Sequence, residues 1–102
     1  MVNEPRITLQ TLRVLSAIMG AGGRELSGAA ISREARLTSG TLYPMLMRLE
    51  QYGWLESRWE IDDPQTLGRP RRRYYRLTGV GETRARAAAR ELEPVVGNLA
   101  WA

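Results

Sequence analysis

The sequence predicts a mainly α fold with a small β-hairpin, on three observations. Leu42, Met45, Leu46 and Leu49 recur at i, i+3, i+4 and i+7, the 3.6-residue period of a helix with one buried face. After Gly53, placed where a helix end wants a residue free to adopt positive φ, the period drops to two. Leu55, Ser57, Trp59 and Ile61 then point one way, and Glu56, Arg58 and Glu60 the other. Late in the chain Ala85, Ala88, Ala89 and Leu92 return to helical spacing, and Val95, Val96 and Leu99 extend the stripe.

The elements follow in order. Met1 to Arg6 read as a flexible arm that ends at Pro5. Thr8 caps a first helix from Leu9 to about Gly20, with Leu12, Leu15 and Met19 as its main stripe and Val14, Ala17 and Ile18 widening it. So wide a stripe fits either one crowded core or burial against both the domain and a second subunit. Gly20, Gly22 and Gly23 break the helix, and Arg24-Glu25-Leu26 has room for a very short strand. Ser27 caps a short helix, Gly28 to Arg36, with Ile31 and Ala35 inward, and Leu37-Thr38 turns into the next helix. Short helix, tight polar turn and longer helix make a helix-turn-helix pattern.

The longer helix has two readings at its start, because Pro44 lacks an N–H. Either Thr41 is the cap and Pro44 lies in the first turn, or Ser39 is the cap and the first turns are bent. Both readings leave Ser39, Gly40, Thr41 and Tyr43 at an exposed helix N-terminus, where unpaired N–H groups attract phosphate. The strand after Gly53 ends near Ile61, residues 62–68 read as a loop, and Tyr74 to Leu77 form the second strand with Tyr75 and Leu77 inward. Trp54 and Trp59 are expected in the hairpin core; Arg73 either joins the basic run of Arg69, Arg71 and Arg72 facing phosphate or starts the strand and pairs with Glu56 or Glu60. Gly68, Arg69, Pro70, Arg71 and Arg72 then form a basic tip beside the exposed helix, a wing. Thr78 caps the last helix, which Pro94 and Gly97 should kink or end. Its alanine–leucine face suits contact between subunits. The architecture is thus a winged helix-turn-helix with a C-terminal dimerisation helix. Residues 1–79 hold the arm and the DNA-binding part, and 80–102 the dimerisation helix, in one compact domain.

Composition narrows the function. The chain has 102 residues, 43% of them hydrophobic, which makes one small globular domain that a second subunit would help stabilise. Cysteine, histidine and lysine are all absent, which removes thiolate chemistry, the commonest general base and the commonest metal ligand. Asp62-Asp63 reads as turn chemistry. No enzyme activity, cofactor or metal is therefore expected. No run approaches the ~18 apolar residues of a membrane span, and MVNEPRITLQ lacks the build of a signal peptide. A cytoplasmic protein without membrane contact is expected. The net charge is +4, the pI is about 10.3, and all fifteen basic residues are arginine, a planar fork suited to phosphate and to guanine edges.

Two motifs carry a resemblance. The run SGTLYPMLMRLEQYGWLE, followed after the wing by GRPRRRYYRLTGVG, resembles the PadR-like family of winged-helix transcriptional regulators, over about the second and third quarters of the chain. The resemblance implies a bacterial or archaeal homodimeric repressor on double-stranded DNA with a palindromic operator, released in some members by a small-molecule effector. It places Ser39, Thr41, Tyr43 and Arg48 on the recognition helix, and Gly68, Arg69, Arg71 and Arg72 on the wing. The expected DNA contacts are these residues with Gly40 and Pro44. The expected dimer contacts are Leu12, Leu15, Ala85, Ala88, Ala89, Leu92, Val95, Val96 and Leu99. Many members have Gly-Tyr where this chain has Ser27-Gly28, and the only late aromatic here is Trp101. The chain resembles the short branch, with one terminal helix. The alternative is a winged-helix module for protein–protein contact or multidrug-type ligand binding.

Overall fold

Thr8 starts the first helix as expected: its hydroxyl accepts the Thr11 N–H at 3.1 Å, and α1 spans Leu9–Met19. In this computed structural model residues 6–96 are described, the side chains through residue 92. The arm before Arg6 and the residues Gly97, Leu99 and Trp101 lie outside them. The chain continues as β1 (Leu26–Ser27), α2 (Gly28–Ala35), α3 (Ser39–Gln51), β2 (Leu55–Trp59), α4 (Pro64–Leu67), β3 (Arg73–Leu77) and α5 (Gly79–Val96). The described part of α5 passes through Pro94 without ending there.

The strands form one antiparallel sheet in the order β1-β3-β2. Leu55 faces Leu77, Ser57 faces Tyr75, and Trp59 faces Arg73. Along that inner face the hairpin runs out of the core. Leu55 and Tyr75 are buried, whereas Trp59 is 55% exposed and Ile61 89% exposed. Trp54 is the core tryptophan; Trp59, expected beside it, stands on a part of the hairpin that projects beyond the helices.

The core joins Val14, Leu15 and Ile18 of α1, Ile31 and Ala35 of α2, and Leu42, Met45, Leu46 and Leu49 of α3, with Trp54, Leu55, Tyr75 and Ala85. The α3 stripe is thus buried residue for residue. The α5 stripe packs within the chain. Leu15, Ala85 and Ala89 have no exposed surface in the single chain, and Leu12 and Ala88 are 3% and 7% exposed. Alanines let α5 come close to α1 within the protomer, so in this conformation these five residues are covered by their own chain. Leu92 is half-buried. The side chains of Val95 and Val96, like Leu99, lie outside the described set.

The turn between α2 and α3 hides a feature that no sequence signal gives. Arg36 has φ 56°, the one non-glycine residue with positive φ among those described. Leu37 N–H reaches Ser32 C=O at 3.1 Å and Arg36 N–H reaches Arg33 C=O at 3.3 Å, the paired closure that usually recruits glycine. The Ser32 hydroxyl donates to Leu37 C=O at 2.5 Å and ties the turn from the other side.

Candidate nucleic-acid interface

With its leucines turned inward, α3 leaves Ser39, Gly40, Thr41, Tyr43, Pro44, Met47 and Arg48 exposed on the outer side. Its cap is neither of the two expected residues. Thr38 holds the extended conformation (φ −69°, ψ 157°), and Ser39 is already helical. Thr38 closes nothing with its side chain beyond a 3.3 Å contact with the Thr41 hydroxyl; its carbonyl takes the Thr41 N–H at 3.1 Å, and the Ser39 and Gly40 N–H groups stay open to the outside. Pro44 lies inside the helix. Its missing N–H leaves Gly40 C=O without its usual partner, which is tolerated because both residues face solvent, where water can take that carbonyl.

Tyr43 is 43% exposed, and its ring lies across the start of α2. A Cβ at Gly28 would stand 2.5 Å from the Tyr43 hydroxyl oxygen and 2.9 Å from two ring carbons. Glycine at 28 therefore makes the seat for that tyrosine. The sequence holds no sign of this, because the two residues belong to different helices. Gly28→Ala should leave the melting temperature within a few degrees, since an exposed ring can swing aside. It should weaken duplex binding several-fold by displacing the hydroxyl, as read by fluorescence anisotropy. Unchanged affinity would remove Tyr43 from the contact surface.

The hairpin tip is more built than an open loop. Asp63 caps the short α4 by accepting Gln65 N–H at 3.0 Å, and Gly68 (φ 70°) ends it. Arg69 turns inward. Its two terminal nitrogens donate to the two Glu60 oxygens at 2.5 and 3.0 Å, and one also reaches Pro70 C=O at 3.1 Å. Glu60 Oε1 accepts Arg72 N–H at 2.7 Å as well. The hydrogen bond from Arg69, then the backbone bond from Arg72 and the nearby cations, hold the Glu60 carboxyl at about 2, against the burial that pushes it up. A depressed carboxylate contributes while ionised, so this clasp holds above the ordinary carboxylate range and is lost only as pH falls towards about 2. Arg69, expected on the duplex, thus has its fork filled from within. Arg71 donates only its Nε, to Asp62 C=O at 2.9 Å, and the Arg72 side chain makes no hydrogen bond or ion pair among the described residues. These two arginines present the wing's outward charge.

Arg73 begins β3, and its partner is neither Glu56 nor Glu60 but Glu50 on α3, at 3.4 Å. Ser57 Oγ lies 2.8 Å from each Glu50 oxygen, and Arg73 Nε donates to Ser57 Oγ at 2.9 Å. The Arg73 guanidinium also stacks 5.4 Å from the Trp59 ring centre. This network ties α3 to the wing at its root. Beneath it Tyr75 is buried, and burial raises its hydroxyl pKa. On the other face of the sheet the charges pair off: Arg58 with Glu25 at 2.8 Å, and Arg76 with Glu56. Arg48, by contrast, has no ion pair among the described residues.

Between α3 and the wing lies an open cleft of about 390 Å³, with Tyr43, Met47, Glu50, Trp59, Arg71 and Arg72 among its walls. The exposed helix face and the outward arginines therefore share one side of the molecule. That arrangement defines a winged helix-turn-helix protein.

The profile of the transcriptional regulator PadR-like family matches residues 23–87. The chain belongs to that family. Among solved structures, a PadR family transcription regulator from hypervirulent Clostridium difficile R20291 is similar, with a TM-score of 0.69 and 23% identity, over 87% of this chain and 92% of that one. A cysteine-to-serine mutant of MarR from E. coli gives 0.68 and 22%, over 84% of this chain, and Streptococcus pneumoniae FabT in complex with DNA gives 0.65 and 22%, over 88%. This chain spans 57% of each of the latter two. At such identities the likeness speaks to the fold. No curated protein matches. Among the described residues no helix is long and apolar enough to cross a membrane.

Proposed function

We propose that this transcriptional regulator is a sequence-specific DNA-binding repressor, acting in the cytoplasm as a homodimer on a palindromic operator. The N-terminal half of α3 enters the major groove, and the wing lies on the flanking backbone or minor groove. One observation carries the reading: the exposed face of α3, through Tyr43 and Met47, and the outward Arg71 and Arg72 line a single cleft. Paired charges elsewhere on the sheet leave the outward positive charge of the hairpin at its tip. In this reading Ser39, Thr41 and Arg48 face base edges, Tyr43 and the wing face phosphates, and Gly68 shapes the wing. FabT was solved in complex with DNA, which supports such a use of the fold.

The dimer rests on the family resemblance and on the small core of a short chain. With the α1–α5 alanine contact internal, its surface falls to the outer sides of those helices, where Leu9 is 54% exposed, and to the α5 end from Leu92 onward. Release by a small-molecule effector belongs to the same reading, and the cleft beside Met47 and Trp59 has room for one.

Selection of bound duplexes from a random library tests the whole proposal. The expected result is an inverted repeat with half-sites about one helical turn apart, bound with steep salt dependence, and two 11.5 kDa chains per duplex by light scattering. A module for protein–protein contact would enrich no sequence and show little duplex affinity at any salt.

A further inference from the structure

We propose that Glu60 is a positioning residue for duplex binding: this acid on the wing strengthens attraction for a polyanion by fixing the arginines around it. The inference rests on the DNA-binding reading above. Taken as bare charge, a carboxylate next to Arg71 and Arg72 should repel phosphate and weaken binding.

Its geometry argues the reverse. Both oxygens are engaged by Arg69, and one of them also by the Arg72 N–H. The Glu60 N–H in turn donates to Arg72 C=O at 2.9 Å, which adds a rung to the ladder beyond the Trp59–Arg73 pair. Glu60 thus closes the neck of the loop at both its backbone and its side chain. The Glu60 side chain is 15% exposed, with both oxygens turned to Arg69. Apolar burial adds little: Asp62 through Thr66 are exposed, Ile61 is 89% exposed, and Leu67 is no more than half-buried. A loop held mainly by polar contacts loses its order when the central acceptor is removed. Arg71 and Arg72 would then have to be ordered at the moment of binding, which lowers affinity.

Asp62 supplies the control. It carries the same charge in the same loop, but its carboxylate makes no hydrogen bond or ion pair among the described residues; only its backbone carbonyl is used, by Arg71.

The test compares the full chain with Glu60→Ala, Glu60→Gln and Asp62→Asn. Affinity for a random-sequence duplex is measured over a salt series, and trypsin cleavage after Arg71, Arg72 and Arg73 is followed without DNA. Glu60→Ala should bind about tenfold more weakly with a shallower salt slope, although it gains net positive charge. Its wing should also be nicked about tenfold faster. Glu60→Gln keeps one acceptor oxygen for the Arg72 N–H and should fall between. Asp62→Asn should bind as well as the unaltered protein or slightly better, with unchanged nicking. Glu60→Ala binding as tightly as Asp62→Asn overturns the assignment, whatever the nicking. If the unaltered protein binds no duplex, the DNA-binding reading fails and takes the assignment with it, while the trypsin arm still reports whether Glu60 holds the wing.

Discussion

Gly81→Ala should destabilise the protein by about 3 kcal/mol, a drop of roughly 15 °C in melting temperature for a domain of this size. A Cβ at that position would stand 2.0 Å from the carbonyl oxygen of Trp54 and 2.9 Å from its Cα. Those are backbone atoms, so no side chain can swing out of the way. The first turn of α5 is fixed there by three further bonds. Thr78 N–H donates to Trp54 C=O at 3.0 Å, the Thr78 hydroxyl donates to Gly53 C=O at 2.6 Å, and the same hydroxyl accepts Gly81 N–H at 3.0 Å. To admit a methyl group, α5 must lift from the turn that joins α3 to β2, and Ala85 and Ala89 then leave the core. The helix propensity gained by replacing glycine, at most about 1 kcal/mol, opposes this but does not match it. Gly79→Ala is the control, because nothing lies within 4 Å of a Cβ there. Its expected effect is neutral to slightly stabilising. Urea unfolding followed by circular dichroism distinguishes the two. Equal midpoints would mean that α5 is not seated on Trp54.

That close approach marks a boundary in what the sequence discloses. The α3 stripe was legible because Leu42, Met45, Leu46 and Leu49 repeat at the helical period, and all four are buried. The caps at Thr8 and Ser27 were legible because hydroxyls before apolar runs have a local use, and both accept the expected N–H groups. Spacing says that a face is covered, but not by what. The alanines of α5 therefore fit a partner subunit as well as they fit α1, and only the three-dimensional placement assigns them to α1. Ion pairs fail to show for a related reason. Arg73 pairs with Glu50 and Arg69 with Glu60 because of strand register and the path of the wing, which no local pattern encodes. Trp59 alternates correctly along β2, yet the strand outruns the core, so a residue on the inner face is still exposed. The sequence singled out the arginine tip as a candidate for DNA contact. It could not tell that Arg69 stiffens the tip while Arg71 and Arg72 face outward.

Arg71→Ala combined with Arg72→Ala should lower duplex affinity on the order of 100-fold at near-physiological salt, on operator and random sequence alike. The Arg72 backbone is pinned to Glu60 by bonds of 2.7 and 2.9 Å, and Arg71 is steered by its Nε on Asp62 C=O, which leaves its terminal nitrogens unengaged. Two outward forks per chain would make four in the proposed dimer. Their removal should reduce the slope of log K against log salt by about 3 to 4, close to 0.9 for each phosphate that is no longer neutralised. Because phosphates carry no sequence, the ratio of specific to non-specific affinity should hold. Thr41→Ala should do the opposite. Its side chain is on the exposed side of the first turns of α3, so its removal should leave the salt slope in place and narrow that ratio, by up to about tenfold. The two substitutions thus separate attraction from reading. A double arginine variant with an unchanged slope would take the wing off the DNA. A Thr41 variant whose two affinities fall together would take that residue off the bases and leave it, at most, against the backbone.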